Sequence, residues 1–442
     1  MRYCLGRRLL VGSLLAVIIN SAQASGFALL EYGAAGLGEA YAGQGVGING
    51  ATTAWGNPAA MGAIEKNSLS VNESLILPKA AFSDSGSTQL GAPMNGGDGN
   101  QGAQNALVSG FFMVNPLPNH YRAGLSVSAP FGLETDYGTS WTGRYYAEKT
   151  QIKSLNIGPS LAIPINSSTY IGVGLDLQMG QADFSRGIDF GTVCYGQLGP
   201  ATCNGLALEP QHADGQVKVS GRDTALGYNL GFWHAFLNGA RVGLHYRSRI
   251  RYRFSGTAVF NVPVSAQVLM AGGGFITTPA SADLVMPDSL SLNLSQPIGA
   301  KLIWMGGVDY TRWSSIQSIV IQYDNPHQPA TAIPMSWHNT YRLSTGFLYR
   351  QSDSWLFRSG LAWSETPVNT TQAQPGIPDG RRIWLSFGAH YAASRRSSMD
   401  VGYTHIFVLN MPINLNEVPN GNLLGDMNLE GNVVAFQYNY TW

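Results

Sequence analysis

From residue 66 onward, apolar and polar positions alternate with a period of two, and the C-terminus shows it best. Val434, Phe436, Tyr438, Tyr440 and Trp442 interleave with Ala435, Gln437, Asn439 and Thr441. One face is greasy and aromatic, the other small and polar, which is the signature of a β-strand. Such a face can be the core of a soluble sandwich or the lipid-facing side of an outer-membrane barrel. The alternation predicts strands over 66–77, 105–116, 119–130, 144–165, 169–190, 216–236, 240–260, 281–296, 300–323, 336–350, 355–366, 380–393, 398–410 and 428–442. The connections separate the two architectures. Short turns near 116–119, 166–168, 237–239, 297–299, 351–354 and 394–397 alternate with long ones over 78–104, 131–143, 191–215, 261–280, 324–335, 367–379 and 411–427. An even strand number, with short turns on one rim and long loops on the other, predicts an all-β, 14-stranded antiparallel transmembrane β-barrel. Closure is obligatory in lipid, where an open sheet edge leaves backbone groups unpaired.

The chain before this pattern divides in two. Arg2, Arg7 and Arg8, the apolar run from Leu9 to Ile19 and the small residues Ala22 and Ala24 around Gln23 read as a secretory signal peptide over 1–24. Residues 25–64 are rich in Gly and Ala, lack an amphipathic period and end in Trp55-Gly56-Asn57-Pro58-Ala59-Ala60-Met61. Eight strands make a barrel that its own side chains fill, so fourteen leave a wide bore. Segment 25–64 is then an N-terminal hatch, or plug, for the barrel of 65–442. Asn57 and Pro58 are expected to set the hatch turn, since Asn bonds local backbone and Pro fixes φ.

Composition narrows the function. Only 12% of residues are charged and net charge is zero, which argues against nucleic acid as a partner. Of three cysteines, Cys4 leaves with the signal peptide, and Cys194 and Cys203 are expected to form a local disulfide in an oxidising compartment. No metal-ligand spacing, phosphate-binding loop, His-Glu-x-x-His or Gly-x-Ser-x-Gly elbow is present, so neither a metal, a cofactor nor an enzyme is expected. A general diffusion porin, a lipid-modifying enzyme of the outer membrane and an adhesive surface barrel stand as alternatives. The porin predicts an open, water-filled lumen.

Two features invite a greasy ligand. Loop 261–280 carries Val262, Val264, Val268, Leu269, Met270, Phe275 and Ile276, either as one wall of a binding groove beside loop 191–215 or as packing over the barrel mouth. On strand 240–260, strict alternation puts Arg241, His245, Arg247, Arg249, Arg251 and Arg253 on one face and Val242, Leu244, Tyr246, Ile250, Tyr252 and Phe254 on the other. Arginine at the lipid midplane costs about 2–4 kcal/mol, so the cations are expected to point inward. Arg247, Arg249 and Arg251 then form either a carboxylate-attracting lumen track or ion pairs with acids such as Asp176, Asp309 and Asp400.

Blocks spanning the chain in order resemble the FadL/TodX family of outer-membrane transporters of long-chain fatty acids and aromatic hydrocarbons. They include Ser25-Gly26-Phe27, Gly36-Leu37-Gly38, Asn57-Pro58-Ala59, Pro130-Phe131-Gly132-Leu133-Glu134, Gly143-Arg144-Tyr145-Tyr146, Pro287-Asp288-Ser289, Thr311-Arg312-Trp313-Ser314, Asn339-Thr340-Tyr341-Arg342 and Ile377-Pro378-Asp379-Gly380. The resemblance implies a plugged fourteen-stranded barrel, a loose groove between extracellular loops, a tighter pocket beside the hatch, and a kink in the third strand through which ligand leaves sideways. It also implies hydrophobic small molecules as cargo, outer-membrane lipid and lipopolysaccharide as surroundings, and the barrel-assembly machinery during biogenesis. By the same resemblance, the ligand-binding residues fall on Phe27, Arg186 and His338. An imidazole in place of a permanent cation at 338 leaves room for a neutral hydrocarbon. Where family hatches carry an acidic pair, this chain reads Gly47-Ile48-Asn49-Gly50.

Overall fold

The computed structural model describes residues 26–442; the expected signal peptide, 1–24, lies outside them. Fourteen antiparallel strands close into one barrel. They are β1 (Ser68–Asp84), β2 (Ala106–Pro116), β3 (Arg122–Ser128 with Gly132–Asp136), β4 (Lys149–Asn166), β5 (Thr169–Asp189), β6 (Asp214–Ala235) and β7 (Arg241–Arg247 with Ile250–Asn261). The wall continues with β8 (Thr278–Met286 with Ser289–Ile298), β9 (Leu302–Thr311 with Ser318–Tyr323), β10 (Thr331–Pro334 with Thr340–Arg350), β11 (Trp355–Ser364), β12 (Arg382–Ala392), β13 (Ser397–Val408 with Met411–Glu417) and β14 (Gly421–Thr441). The register Ser68↔Thr441 through Asp84↔Gly425 joins the last strand to the first and removes the sheet edge.

Orientation follows from the side chains. On β14, Val434 and Phe436 face outward while Val433, Ala435 and Gln437 are buried inside. Outward aromatic and aliphatic residues cover most of the wall's mid-height on the other strands too, where lipid replaces water as their solvent. Above that band the polarity inverts. Leu423, Met427 and Leu429 point inward, while Asp426 and Asn428 on the same strand point to water. This inversion corrects one sequence reading: 411–427 is a strand hairpin closed by residues 418–420, with Met411, Ile413 and Leu415 on its inner face.

Residues 26–64 lie inside the cylinder. Two short helices, α1 (Ala34–Gly38) and α2 (Thr53–Gly56), and a 3-10 turn over Pro58–Ala63 are almost wholly buried. An amphipathic face would be useless here because wall surrounds the segment on all sides. Small residues instead let backbone meet backbone: a Cβ on Gly38 would come within 2.8 Å of the Gly388 Cα on β12. The Asn57 side chain accepts from the Ala59 amide at 3.1 Å and donates to the Gly45 and Phe232 carbonyls at 3.0 and 3.1 Å. It therefore shapes the turn and ties it to β6. The bore is filled at this level, contrary to what an open porin requires.

β3 is broken. Residues 111–116 of β2 pair with 122–127 of β3, but Ala106–Gly110 have only β1 as a partner, while Gly132–Asp136 pair with β4 and, on their other side, bond to Phe27 and to residues 102–104 ahead of β2. Pro130, which has no amide hydrogen to give to a ladder, marks the kink. The wall between β2 and β3 is thus interrupted at mid-height.

Candidate transport path

Among the described residues, three of the cavities inside the barrel trace a path along the lumen. The outermost, about 630 Å³, lies at the extracellular mouth under the connection between β5 and β6 and that between β7 and β8. The first of these connections carries α3 (Phe190–Leu198) and α4 (Pro200–Gly205), with Cys194 and Cys203 joined by a disulfide. The second is a 3-10 segment, Val264–Gly272. Phe190, Cys194, Cys203, Ala266 and Leu269 form a local core, with the Phe275 ring 5.0 Å from that of Phe190. Loop 261–280 therefore divides its apolar residues: Leu269 packs, while Val264 and Val268 stay exposed and Val268 lines the cavity.

Arg186, near the extracellular end of β5, lines this mouth cavity and also a narrower apolar slot below it, walled by Phe184, Val217, Ile319, Ile321 and Ile377. Its one hydrogen bond is a long contact of 3.4 Å from Nη1 to the Asn420 Oδ1, and it forms no ion pair among the described residues. A guanidinium so placed keeps donors to spare for an anionic ligand.

The innermost cavity, about 150 Å³, sits beside segment 26–64 at the height of the β3 kink. Leu30, Tyr32, Trp55, Phe131 and Trp313 give it an apolar lining. Its cations are engaged. Arg247 lies 3.4 Å over the Trp55 ring, pairs with Asp176 at 2.8 Å and donates to the Trp55 carbonyl at 2.9 Å. Arg342 pairs with Asp309 at 3.1 Å and donates to the Ala40 carbonyl. Asp309 also accepts from Gln44, whose amide oxygen accepts from Tyr32.

Phe27 lies behind this cavity rather than in it. Its fully buried ring is 5.2 Å from that of Trp313, 5.5 Å from Trp337 and 6.1 Å from Phe131. His338 is exposed and lines none of the three cavities; its amide donates to the Pro367 carbonyl. Phe27, Arg186 and His338 thus stand apart in the structure.

The arginine ladder is corrected. Arg247 faces the lumen, but Arg249 and Arg251 face outward, and Ile250, Tyr252 and Phe254 are the buried residues above the break. Between the pairs Arg247↔Asn229 and Ser255↔Arg222, β7 carries one residue more than β6. That bulge at Ser248–Arg249 exchanges the two faces, because side chains alternate strictly. Outside the apolar band the outward arginines meet no hydrocarbon, so lipid does not forbid them. Sequence reading passed over Trp313, Trp337 and Tyr32, although both tryptophans fall in short stretches that interrupt the alternation.

A closed antiparallel barrel with an apolar exterior, a filled bore and a mixed mouth cavity above apolar inner ones is an outer-membrane transport protein. The chain belongs to the family described as outer membrane protein transport protein (OMPP1/FadL/TodX), which it matches over residues 15–442. It is 26% identical over 415 residues to the long-chain fatty acid transport protein of Escherichia coli strain K12, covering 90% of this chain and 91% of that protein. It is 24% identical over 420 residues to outer membrane protein P1 of Haemophilus influenzae, covering 90% and 89%. The crystal structure of a Pseudomonas aeruginosa FadL homologue superposes with a TM-score of 0.87 at 24% identity, covering 94% of this chain and 99% of that one. The toluene transporter TodX of Pseudomonas putida superposes at 0.69 with 14% identity, covering 93% and 99%. The chain is a bacterial outer-membrane transporter and not an enzyme.

Proposed function

We propose that this chain passively carries long-chain fatty acids or related hydrocarbons from the mouth cavity to the inner cavity and releases them sideways into the bilayer between β2 and β3. The single observation that carries the reading is Arg186, a cation with no carboxylate at ion-pair distance among the described residues, Glu417 across the cavity being farther off, that stands where the mouth cavity narrows to an apolar slot. Each CH₂ taken from water contributes about 0.8 kcal/mol, so an apolar tail holds firmly in such a slot while its headgroup meets the guanidinium. The names of the relatives agree with this cargo. In this reading residues 25–64 act as the hatch, with Phe27 as the aromatic stopper between slot and inner cavity. Lateral release is supported by the unpaired stretch of β2 beside the β3 kink. Outer-membrane lipid and lipopolysaccharide surround the barrel, and the barrel-assembly machinery inserts it. A neutral hydrocarbon is the second reading, favoured by the ion pairs that Arg247 and Arg342 already make in the inner cavity. Native mass spectrometry of the protein from cells grown on oleate or on toluene tests the function. A co-purified apolar molecule that changes with carbon source is expected; detergent alone under every condition would overturn it.

A further inference from the structure

The outside of the barrel carries a feature that transport does not use. On β4, β5 and β6 the outward residues are mostly apolar from the periplasmic turns up to Leu155, Met179 and Leu226, and then change to Lys153 on β4, Gln181 on β5, and Thr224 and Arg222 on β6. These three stand side by side in one register row, Lys153↔Gln181↔Arg222, and the row continues to Ser255 on β7. The β7 bulge turns Arg251 and Arg253 outward just below that row. Lys153 and Arg222 each lie about thirteen residues from the periplasmic ends of their strands, a rise of about 33 Å at ~3.3 Å per residue and ~40° tilt. The apolar band of such barrels is about 25 Å tall, so the row stands just above the hydrocarbon of the outer leaflet.

The cations are unevenly matched. Arg253 has Asp283 at 3.4 Å and Lys153 has Glu134 at 3.7 Å, while Arg222 and Arg251 form no ion pair among the described residues. A shallow external hollow of about 650 Å³ between Lys153 and Arg222 is lined by Leu155, Met179, Gln181 and Thr224, and by Asp223, whose carboxylate accepts from the Arg253 amide at 2.6 Å. The far wall differs. At the same height β14 presents Asp426 and Glu430 outward, with Lys79 of β1 in register with Glu430.

We propose that Lys153, Arg222 and Arg251 form a site for a phosphorylated glycolipid of the outer leaflet, whose phosphates lie across the cations and whose acyl chains run down over Leu155, Met179 and Leu226. Guanidinium and ammonium groups match phosphate oxygens in charge and geometry, and a head above a greasy stripe is the shape of an anionic lipid. The inference deepens the proposed lipopolysaccharide surroundings and rests on the outer-membrane location, not on what the lumen carries.

The test is native mass spectrometry of the full protein extracted in mild detergent, titrated with bisphosphorylated lipid A, dephosphorylated lipid A or phosphatidylglycerol. The wild type should retain bisphosphorylated lipid A at least fivefold better than the other two. The triple variant K153A/R222A/R251A should lose that preference, and Lys79→Ala should keep it. Heat-modifiable electrophoretic mobility verifies that each variant is folded, and unchanged oleate binding separates this site from the lumen. Equal retention by the triple variant, equal binding of dephosphorylated lipid A, or equal binding of phosphatidylglycerol would overturn the proposal.

Discussion

The Phe27 carbonyl accepts a hydrogen bond from the Gly132 amide at 2.9 Å, so the start of the buried segment and the kink of the wall share backbone bonds. Two residues on, the Leu29 amide donates to the Pro130 carbonyl at 2.8 Å. The N-terminal strip thereby takes ladder positions that β2 leaves empty. In the path proposed above, a displacement of Phe27 would pull on the wall at the kink, and this strip would serve as its gate.

Replacing Phe27 by Ala removes a ring that touches Trp313, Trp337 and Phe131. Truncating a buried Phe costs about 3–5 kcal/mol locally, against a barrel held by closed strand pairing. Uptake of a radiolabelled fatty acid should fall several-fold while outer-membrane assembly, read by heat-modifiable mobility, stays intact. Unchanged uptake would remove Phe27 from the path.

Arg186→Leu should weaken oleate binding roughly tenfold to a hundredfold, since a hydrogen bond to a charged group contributes about 1.5–3 kcal/mol. Arg186→Lys should restore part of it, and toluene binding should not change. Tryptophan quenching on titration measures all three. If oleate binding were indifferent to the charge at 186, the headgroup role would fail.

Gly110 lies on the β2 edge beside the interruption, and a Cβ there would come within 2.7 Å of the Phe112 ring and 3.2 Å of the Tyr32 carbonyl. Gly110→Val should therefore crowd the sideways exit. The expected outcome is normal ligand binding with slowed transfer to liposomes. Transfer at the wild-type rate would argue for a different exit.

The buried segment should dock more weakly as pH rises. Burial pushes the Glu39 carboxyl up to about 8 and that of Glu31 up to about 7. Arg358 lies 3.6 Å from Glu39 but also pairs with Asp400, which holds His390 and Asn439 besides, so one cation serves two acids and Glu39 keeps its proton. A carboxyl whose folded pKa is raised contributes stability that is complete below about 4.5 and lost as pH climbs through 7 and 8. Amide protection in residues 26–64, taken relative to the intrinsic exchange rate at each pH, should fall between about pH 5 and 8, and Glu39→Gln should flatten that dependence. A profile in Glu39→Gln identical to the wild type would refute the assignment.

Much of this protein could be read from one-dimensional pattern. Period-two alternation with alternating short and long connections is imposed locally, by the pleat and by lipid on one side of it, so it survives errors in strand ends. The Gly- and Ala-rich stretch of 25–64 told of close backbone packing for the same local reason. What only the tertiary structure decided depends on counting residues against a partner. One extra residue in β7 turned Arg249 and Arg251 to the outside, though their spacing from Arg247 is perfectly regular. Loop and strand were confused over 411–427 because above the membrane water, not lipid, meets the outer face and the polarity of the alternation inverts. And the cluster of Phe27, Phe131, Trp313 and Trp337 joins residues hundreds of positions apart, which only closure of the barrel around its own N-terminus brings within ring contact.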